Sequence, residues 1–211
     1  MMKHLLPLVL LFAISLPRIT ATGDANATQL IYDTDGHQLT SLSAYYILPA
    51  QKGTGGGGLK LNSLAPLASF VIQARSEADH GDPVKFSPLS ASSDGKTRLS
   101  TDTKIIFAII TTRVESLYWY VTRSWSLPSS EPRQLVSIPE YLIKKPPGFV
   151  FRVERHVAGA TKGYKLVWCH DGEMKPCKDL GLYESEGKTW LATSDSPFVV
   201  VFKKRGLDVY A

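Results

Sequence analysis

Few side chains in this sequence have types and spacing suited to chemistry. Cys169 and Cys177 stand eight apart, with Gly172 and Pro176 between them. In an oxidising compartment such a pair closes one disulfide, worth about 2.5 kcal/mol on the loop-entropy view. The competing use is metal binding, but His170 is the one further ligand nearby, short of the four a structural zinc site takes. Asp33 and Asp35 could mimic a catalytic carboxylate pair, yet Asp35-Gly36 is a turn signal that accounts for both. His80, His156 and His170 have no nucleophile beside them in sequence. Neither Gly-x-Ser-x-Gly nor His-Glu-x-x-His occurs. The glycine run at Gly53 and Gly55 to Gly58 lacks the Gly-Lys-Ser/Thr and the helix of a phosphate-cradling loop, so a flexible hairpin tip is expected there. The expectation is a protein that is not an enzyme and carries no cofactor and no metal.

The stretch most suited to function is residues 82–98, DPVKFSPLSASSDGKTR. It begins as a strand over 84–86, crosses Pro88 and runs through small polar residues before a strand pattern resumes. It is too polar for core and too long for a tight turn. Such a segment is either a solvated surface connection or a loop held out for another protein to grip.

The elements that must position it read almost entirely as strands. The chain has 211 residues, 44% hydrophobic and 10% aromatic, enough for one well-buried domain or two small ones. At the start, Lys3 and His4 precede an apolar run to Leu16, and small residues follow around 21–25. This has the form of a secretory signal, residues 1–23, cleaved between about 21 and 25. The run is too short to span a membrane, and no later stretch approaches that length. Asn26-Ala27-Thr28 fits the N-glycosylation pattern and makes Asn26 the candidate acceptor. Removing Lys3 and Arg18 from the 24 basic residues leaves 22 against 19 acidic ones. A balance of about +3 does not argue for nucleic acid, and Lys144-Lys145 and Lys203-Lys204-Arg205 read as solvated faces. The expected place is secreted or vacuolar, as a soluble monomer without a membrane or nucleic-acid partner.

After the signal, strands are expected over 29–33, 44–48, 59–61, 69–73, 84–86, 97–100, 104–110, 118–122, 134–138, 149–155, 165–169, 180–183, 189–192 and 198–203. The clearest is FVFRVER from Phe149, which alternates apolar and polar residues. Pro128, Pro132, Pro139, Pro146 and Pro147 exclude a long helix between the middle and the end. These fourteen candidates, close to twelve short strands in three sets of roughly sixty residues, indicate an all-β barrel or sandwich, and the threefold texture favours a three-lobed barrel.

Specific motifs go further. Ile31-Tyr32-Asp33-Thr34-Asp35-Gly36-His37-Gln38-Leu39, followed by Tyr45-Tyr46-Ile47, resembles the N-terminal signature of the Kunitz-type soybean trypsin inhibitor family. Tyr164 to Cys169, Cys177 to Leu182 and Pro197 to Lys204 resemble that family's closing motifs in order and spacing. Gly81 to Pro88 and Ser100-Thr101-Asp102 resemble the flanks of its reactive loop, and Trp119 and Val121 fall near its central Trp-x-Val. The resemblance spans 29 to about 204. It implies a β-trefoil of twelve strands in three pseudo-repeats over a single domain, 24–211. It also implies a plant protein that inhibits proteases, in particular serine endopeptidases through a substrate-like exposed loop. The alternative within the same fold is a non-inhibitory or differently targeted binding protein: a cysteine-protease or amylase inhibitor, or a miraculin-like, storage or defence protein.

The resemblance also assigns residues. The reactive loop would be Ser87, Pro88, Leu89, Ser90, Ala91 and Ser92, with Ser90 entering the protease's specificity pocket and Ala91 following the scissile bond. His37 stands where many relatives have a loop-supporting asparagine. Cys169 and Cys177 match the second of the family's two disulfides. The first is lost at both ends, with Ala65 in place of one cysteine and Thr112 or Arg113 near the other. That bridge would close nearly fifty residues and contribute about 4 kcal/mol. Trypsin's pocket takes a positive charge against a buried aspartate. Ser90 supplies none, and Lys96 and Arg98 lie where the returning strand should start. The expected target is therefore an elastase-like, subtilisin-like or chymotrypsin-like pocket.

Overall fold

A computed structural model describes residues 29–53, 55–64, 68–90, 94–110, 117–122, 132–139, 148–159, 161–170 and 176–206. The expected signal segment, Asn26, Ala65, Ala91, Ser92, Thr112 and Arg113 lie outside these residues.

The strands are β1 (Tyr45–Pro49), β2 (Leu59–Leu64), β3 (Ala68–Gln73), β4 (Val84–Pro88), β5 (Thr103–Phe107) and β6 (Tyr120–Val121). They continue as β7 (Val136–Ile138), β8 (Val150–Ala158), β9 (Thr161–Cys169), β10 (Lys178–Ser185), β11 (Lys188–Thr193) and β12 (Val200–Lys204). All pairings between them are antiparallel. β12, β1, β4, β5, β8 and β9 follow one another side by side, and β12 also pairs with β9, which closes a six-stranded barrel. The hairpins β2–β3, β6–β7 and β10–β11 form the second layer. They meet through β3–β11 and β3–β7 pairing and through a Leu135–Ala192 bridge. Each run of four strands thus gives two barrel strands and one hairpin, and three such runs make a β-trefoil.

Strand period explains why these residues build a barrel. Successive side chains alternate between faces, and β1, β4 and β5 bury every second residue at their starts. Ile47, Val84, Phe86, Ile105, Phe151, Val153, Leu166, Val200 and Phe202 fill one core. Phe86 of β4 meets Phe202 of β12 edge to face at 5.2 Å, and Trp119 meets Phe151 at 6.3 Å. Each such side chain contributes about 1.5–3 kcal/mol by leaving water. Satellite clusters lie under the hairpins, around Phe70 and Trp190, and beside Cys169.

Two expected features come out differently. Residues 29–33 and 97–100 do not form strands. They pair only through isolated bridges, Leu30 with Arg98 and Tyr32 with Gln38. The glycine run is also more than a flexible tip. Gly53 and Gly55 are exposed, but Gly56, Gly57 and Gly58 are buried. Gly57 donates to Ala74, and Gly58 donates to Asp79 and accepts from Ala74. A Cβ on Gly57 would stand 2.2 Å from the carbonyl oxygens of Ser76 and Asp79, so the close backbone approach requires glycine.

Candidate functional site

The polar stretch after β4 leaves the barrel between two fixed arms. Its outgoing arm is the β4–β5 ladder, which ends with Ser87 opposite Lys104 and Pro88 opposite Thr103. One more bond continues the pairing, from the Leu89 amide to the Asp102 carbonyl at 2.8 Å. Asp102 is held in turn by Arg152 of β8, with Nε and Oδ1 2.5 Å apart. Beyond that point the chain leaves the sheet. Leu89 is 43% exposed and Ser90 is exposed, while Ser87 and Pro88 are half-buried.

The returning arm lies against the segment that precedes β1. Lys96 bridges to Thr40 and Arg98 to Leu30, and between them the Thr97 amide donates to the Leu39 carbonyl at 3.0 Å. Leu99 donates to Gln29 at 2.7 Å. Gly95, with φ +63, turns the chain, and its carbonyl accepts from the Ser41 amide at 2.9 Å and the Ser41 hydroxyl at 3.3 Å. Gly95 is in the left-handed region that glycine enters without penalty.

The arginine of the returning arm is paired inside the loop. Arg98 reaches Asp94 with both terminal nitrogens, Nη1 to Oδ1 at 3.0 Å and Nη2 to Oδ2 at 2.5 Å. The Asp94 hydrogen bonds raise the Arg98 pKa above its ordinary value. Asp94 Oδ1 also accepts from the Lys96 amide. The pair fastens the base of the loop and leaves its described tip, Leu89 and Ser90, without charge.

His37, expected to support the loop, lies in the turn that precedes β1. Asp33 Oδ1 accepts the amides of Asp35 at 3.0 Å and His37 at 2.8 Å, which fixes the turn. This puts the imidazole on the outside, 74% exposed, with Asp33 at 3.8 Å as its side-chain partner among the described residues. Ser41, four positions on, meets the described part of the loop. No local pattern marks Ser41, because its partner is 54 residues away. Asp33, Asp35 and His37 converge within 4.8 Å, a grouping the turn's own hydrogen bonds explain. Cys169 and Cys177 are joined in a disulfide at the end of β9, apart from the loop. Sequence reasoning also missed the Asp102–Arg152 and Asp94–Arg98 pairs that clamp the two arms.

The comparisons with known proteins agree with this frame. The model of the Kunitz legume family, described as trypsin and protease inhibitor, matches residues 31–204. An alpha-amylase/subtilisin inhibitor from Oryza sativa subsp. japonica is 38% identical, over 94% of each chain. The solved rice bifunctional alpha-amylase/subtilisin inhibitor superposes with a TM-score of 0.67 at 36% identity, over 84% of this chain and 99% of that one. A Kunitz-type trypsin inhibitor from Cicer arietinum gives a TM-score of 0.72 at 27% identity, over the same shares. With the barrel, the three hairpins and the anchored loop all in place, the chain belongs to the Kunitz legume family of protease inhibitors.

Proposed function

We propose that this protein inhibits a serine endopeptidase with a pocket for an uncharged residue, subtilisin-like above trypsin-like, by presenting residues 87–92 as a substrate. The observation that carries this reading is an exposed, uncharged tip between two arms fixed to the barrel, with the nearby arginine tied to Asp94. The rice relative's name, which includes subtilisin, supports the same choice of target.

The loop docks in the active-site cleft as a strand added to the enzyme's edge. Its fixed arms reduce the ordering that binding would otherwise require. The protease's serine oxygen attacks the Ser90 carbonyl carbon, the bond to Ala91 breaks, and the Ala91 nitrogen takes up a proton. In an ordinary substrate that amine diffuses away. Here the chain after it runs back through Gly95, Thr97 and Leu99, which are bonded to Ser41, Leu39 and Gln29. The amine stays beside the acyl group and re-forms the bond, so the complex persists.

The rice relative's name also includes alpha-amylase, so an amylase is the second target to assay. An oxidising destination, secreted or vacuolar, accords with the Cys169–Cys177 disulfide. The test is a set of inhibition constants for the mature protein against subtilisin, chymotrypsin, elastase, trypsin, papain and an α-amylase. The tightest stoichiometric inhibition is expected for a serine protease other than trypsin. Tight trypsin inhibition would overturn the placement of Ser90 in the pocket, and papain inhibition alone would overturn the serine-protease reading.

A further inference from the structure

We infer that Leu42 makes a second, apolar contact with the protease that grips the 87–92 loop, which rests on the function proposed above. Leu42 is 86% exposed. A single exposed leucine needs no explanation on its own. What distinguishes Leu42 is how its backbone is held and what it is held against.

The 40–43 turn is closed by the Ser43 amide donating to the Thr40 carbonyl and by a Thr40–Ser43 hydroxyl bond at 3.3 Å. The Thr40 amide donates to the hydroxyl of Tyr45, a core residue 1% exposed. Ser41 gives both its bonds to Gly95, and Thr40 bridges to Lys96. Leu42 is thus one residue from Ser41, and Ser41 is bonded to Gly95, the residue after Asp94. With about 3.8 Å per residue step, the turn stands at the foot of the loop. An enzyme that closes over the tip meets this turn beside it.

The large exposed hydrophobic residues among the described ones are Tyr32, Leu42, Leu89, Ile110 and Val157. Leu42 and Leu89 belong to the two segments that meet at this loop. Leu89 is part of the substrate-like strand. Leu42 lies outside it, on a backbone that needs little further ordering, so burying it against a partner has a small entropic cost. The surface it fits is an apolar rim flanking the protease's specificity cleft. Leu42 would then select among enzymes that accept the same tip residue, according to whether that rim is apolar or charged.

The experiment uses the full mature chain and the protease it inhibits most tightly in the panel above. Leu42→Ala should raise the inhibition constant about tenfold and Leu42→Asp about a hundredfold, in the range of interface anchors. The melting temperature should stay within about 2 °C, as expected for a surface substitution. In a Leu42→Cys chain, alkylation of the new thiol by iodoacetamide should slow at least about tenfold once the protease is bound. Either an unchanged inhibition constant for Leu42→Asp or an unslowed alkylation overturns this inference. The loop's role survives that result if Leu89→Gly still abolishes inhibition. A parent chain that inhibits no serine protease overturns both.

Discussion

The β4–β5 and β8–β9 connections hold equivalent places in the barrel, each joining the last strand of one repeat to the first strand of the next. The β8–β9 ladder runs unbroken from Val150 opposite Cys169 to Ala158 opposite Thr161. The β4–β5 ladder stops at Pro88 opposite Thr103 and gives way to a long polar excursion. One connection uses its backbone donors and acceptors on itself, strand against strand. The other takes its support from distant segments, with Ser41, Leu39 and Gln29 on one side and Arg152 on the other. A closed ladder keeps its backbone groups from a partner. An opened one, held at its base, is the form the proposed protease contact requires, because backbone outside a ladder can pair with another protein. The contrast shows how one barrel position can hold a closed hairpin in one repeat and a long polar excursion in another.

The comparison is tested most severely by substitutions at the two tips. Leu89→Gly loosens the extended strand, and Ser90→Pro removes an amide and fixes φ where the scissile bond must lie. Each should weaken inhibition by more than about a hundredfold, or about 2.7 kcal/mol. Val157→Gly on β8, 66% exposed in the parent, should change the inhibition constant by less than about twofold. Equal effects at the two places would remove the distinction.

A middling effect is expected from the disulfide, read in stability and not in inhibition. Replacing Cys169 and Cys177 together by alanine should cost about 2.5 kcal/mol and lower the melting temperature by about 5–10 °C. The bridge ties the end of β9 to the approach to β10 and does not touch the described loop residues. Inhibition constants at 25 °C should therefore hold within about twofold.

The smallest effect concerns pH. Lys165 of β9 lies 2.7 Å from Asp179 and 3.6 Å from Glu154. The hydrogen bond to Asp179 raises its pKa above 10.5, against an opposing effect of burial. The fold therefore favours the protonated amine. Its contribution is fully present below about pH 10.5, the unfolded value, and is lost as pH rises through the higher folded value. Lys165→Met should flatten the alkaline limb of the stability curve by less than about 1 kcal/mol, as for a partly exposed pair. Denaturant unfolding between pH 8 and 11.5 measures it.

Much of the fold was legible because strand period and burial are local. The FVFRVER alternation lies in β8, and the apolar run at 198–203 overlaps β12, since each buries one face on the same core. The two cysteines found each other because eight residues separate them. The loop's frame was legible through its flanks, but its support was not. Residues 29–33 looked like a strand because Leu30 and Ile31 are apolar, yet they pair one residue at a time with two different segments, Leu30 with the distant Arg98 and Tyr32 with the nearby Gln38. His37 drew attention as the unusual side chain in its motif, whereas the Asp33 carboxylate, by gathering two amides, turns it outward. Ser41 drew none, because a serine that bonds a carbonyl across the fold has no signature in its own neighbourhood.

The central claim is that the chain between Pro88 and Gly95 is read by a protease as substrate. Incubating the protein with a catalytic amount of the protease it inhibits, at mildly acidic pH, and sequencing the products tests this directly. One nick is predicted, giving a new N-terminus at Ala91, with the two pieces still associated through the barrel and the arms. Cleavage first at the β8–β9 tip, or an inhibitory complex whose only nicks lie outside 88–95, would contradict the account.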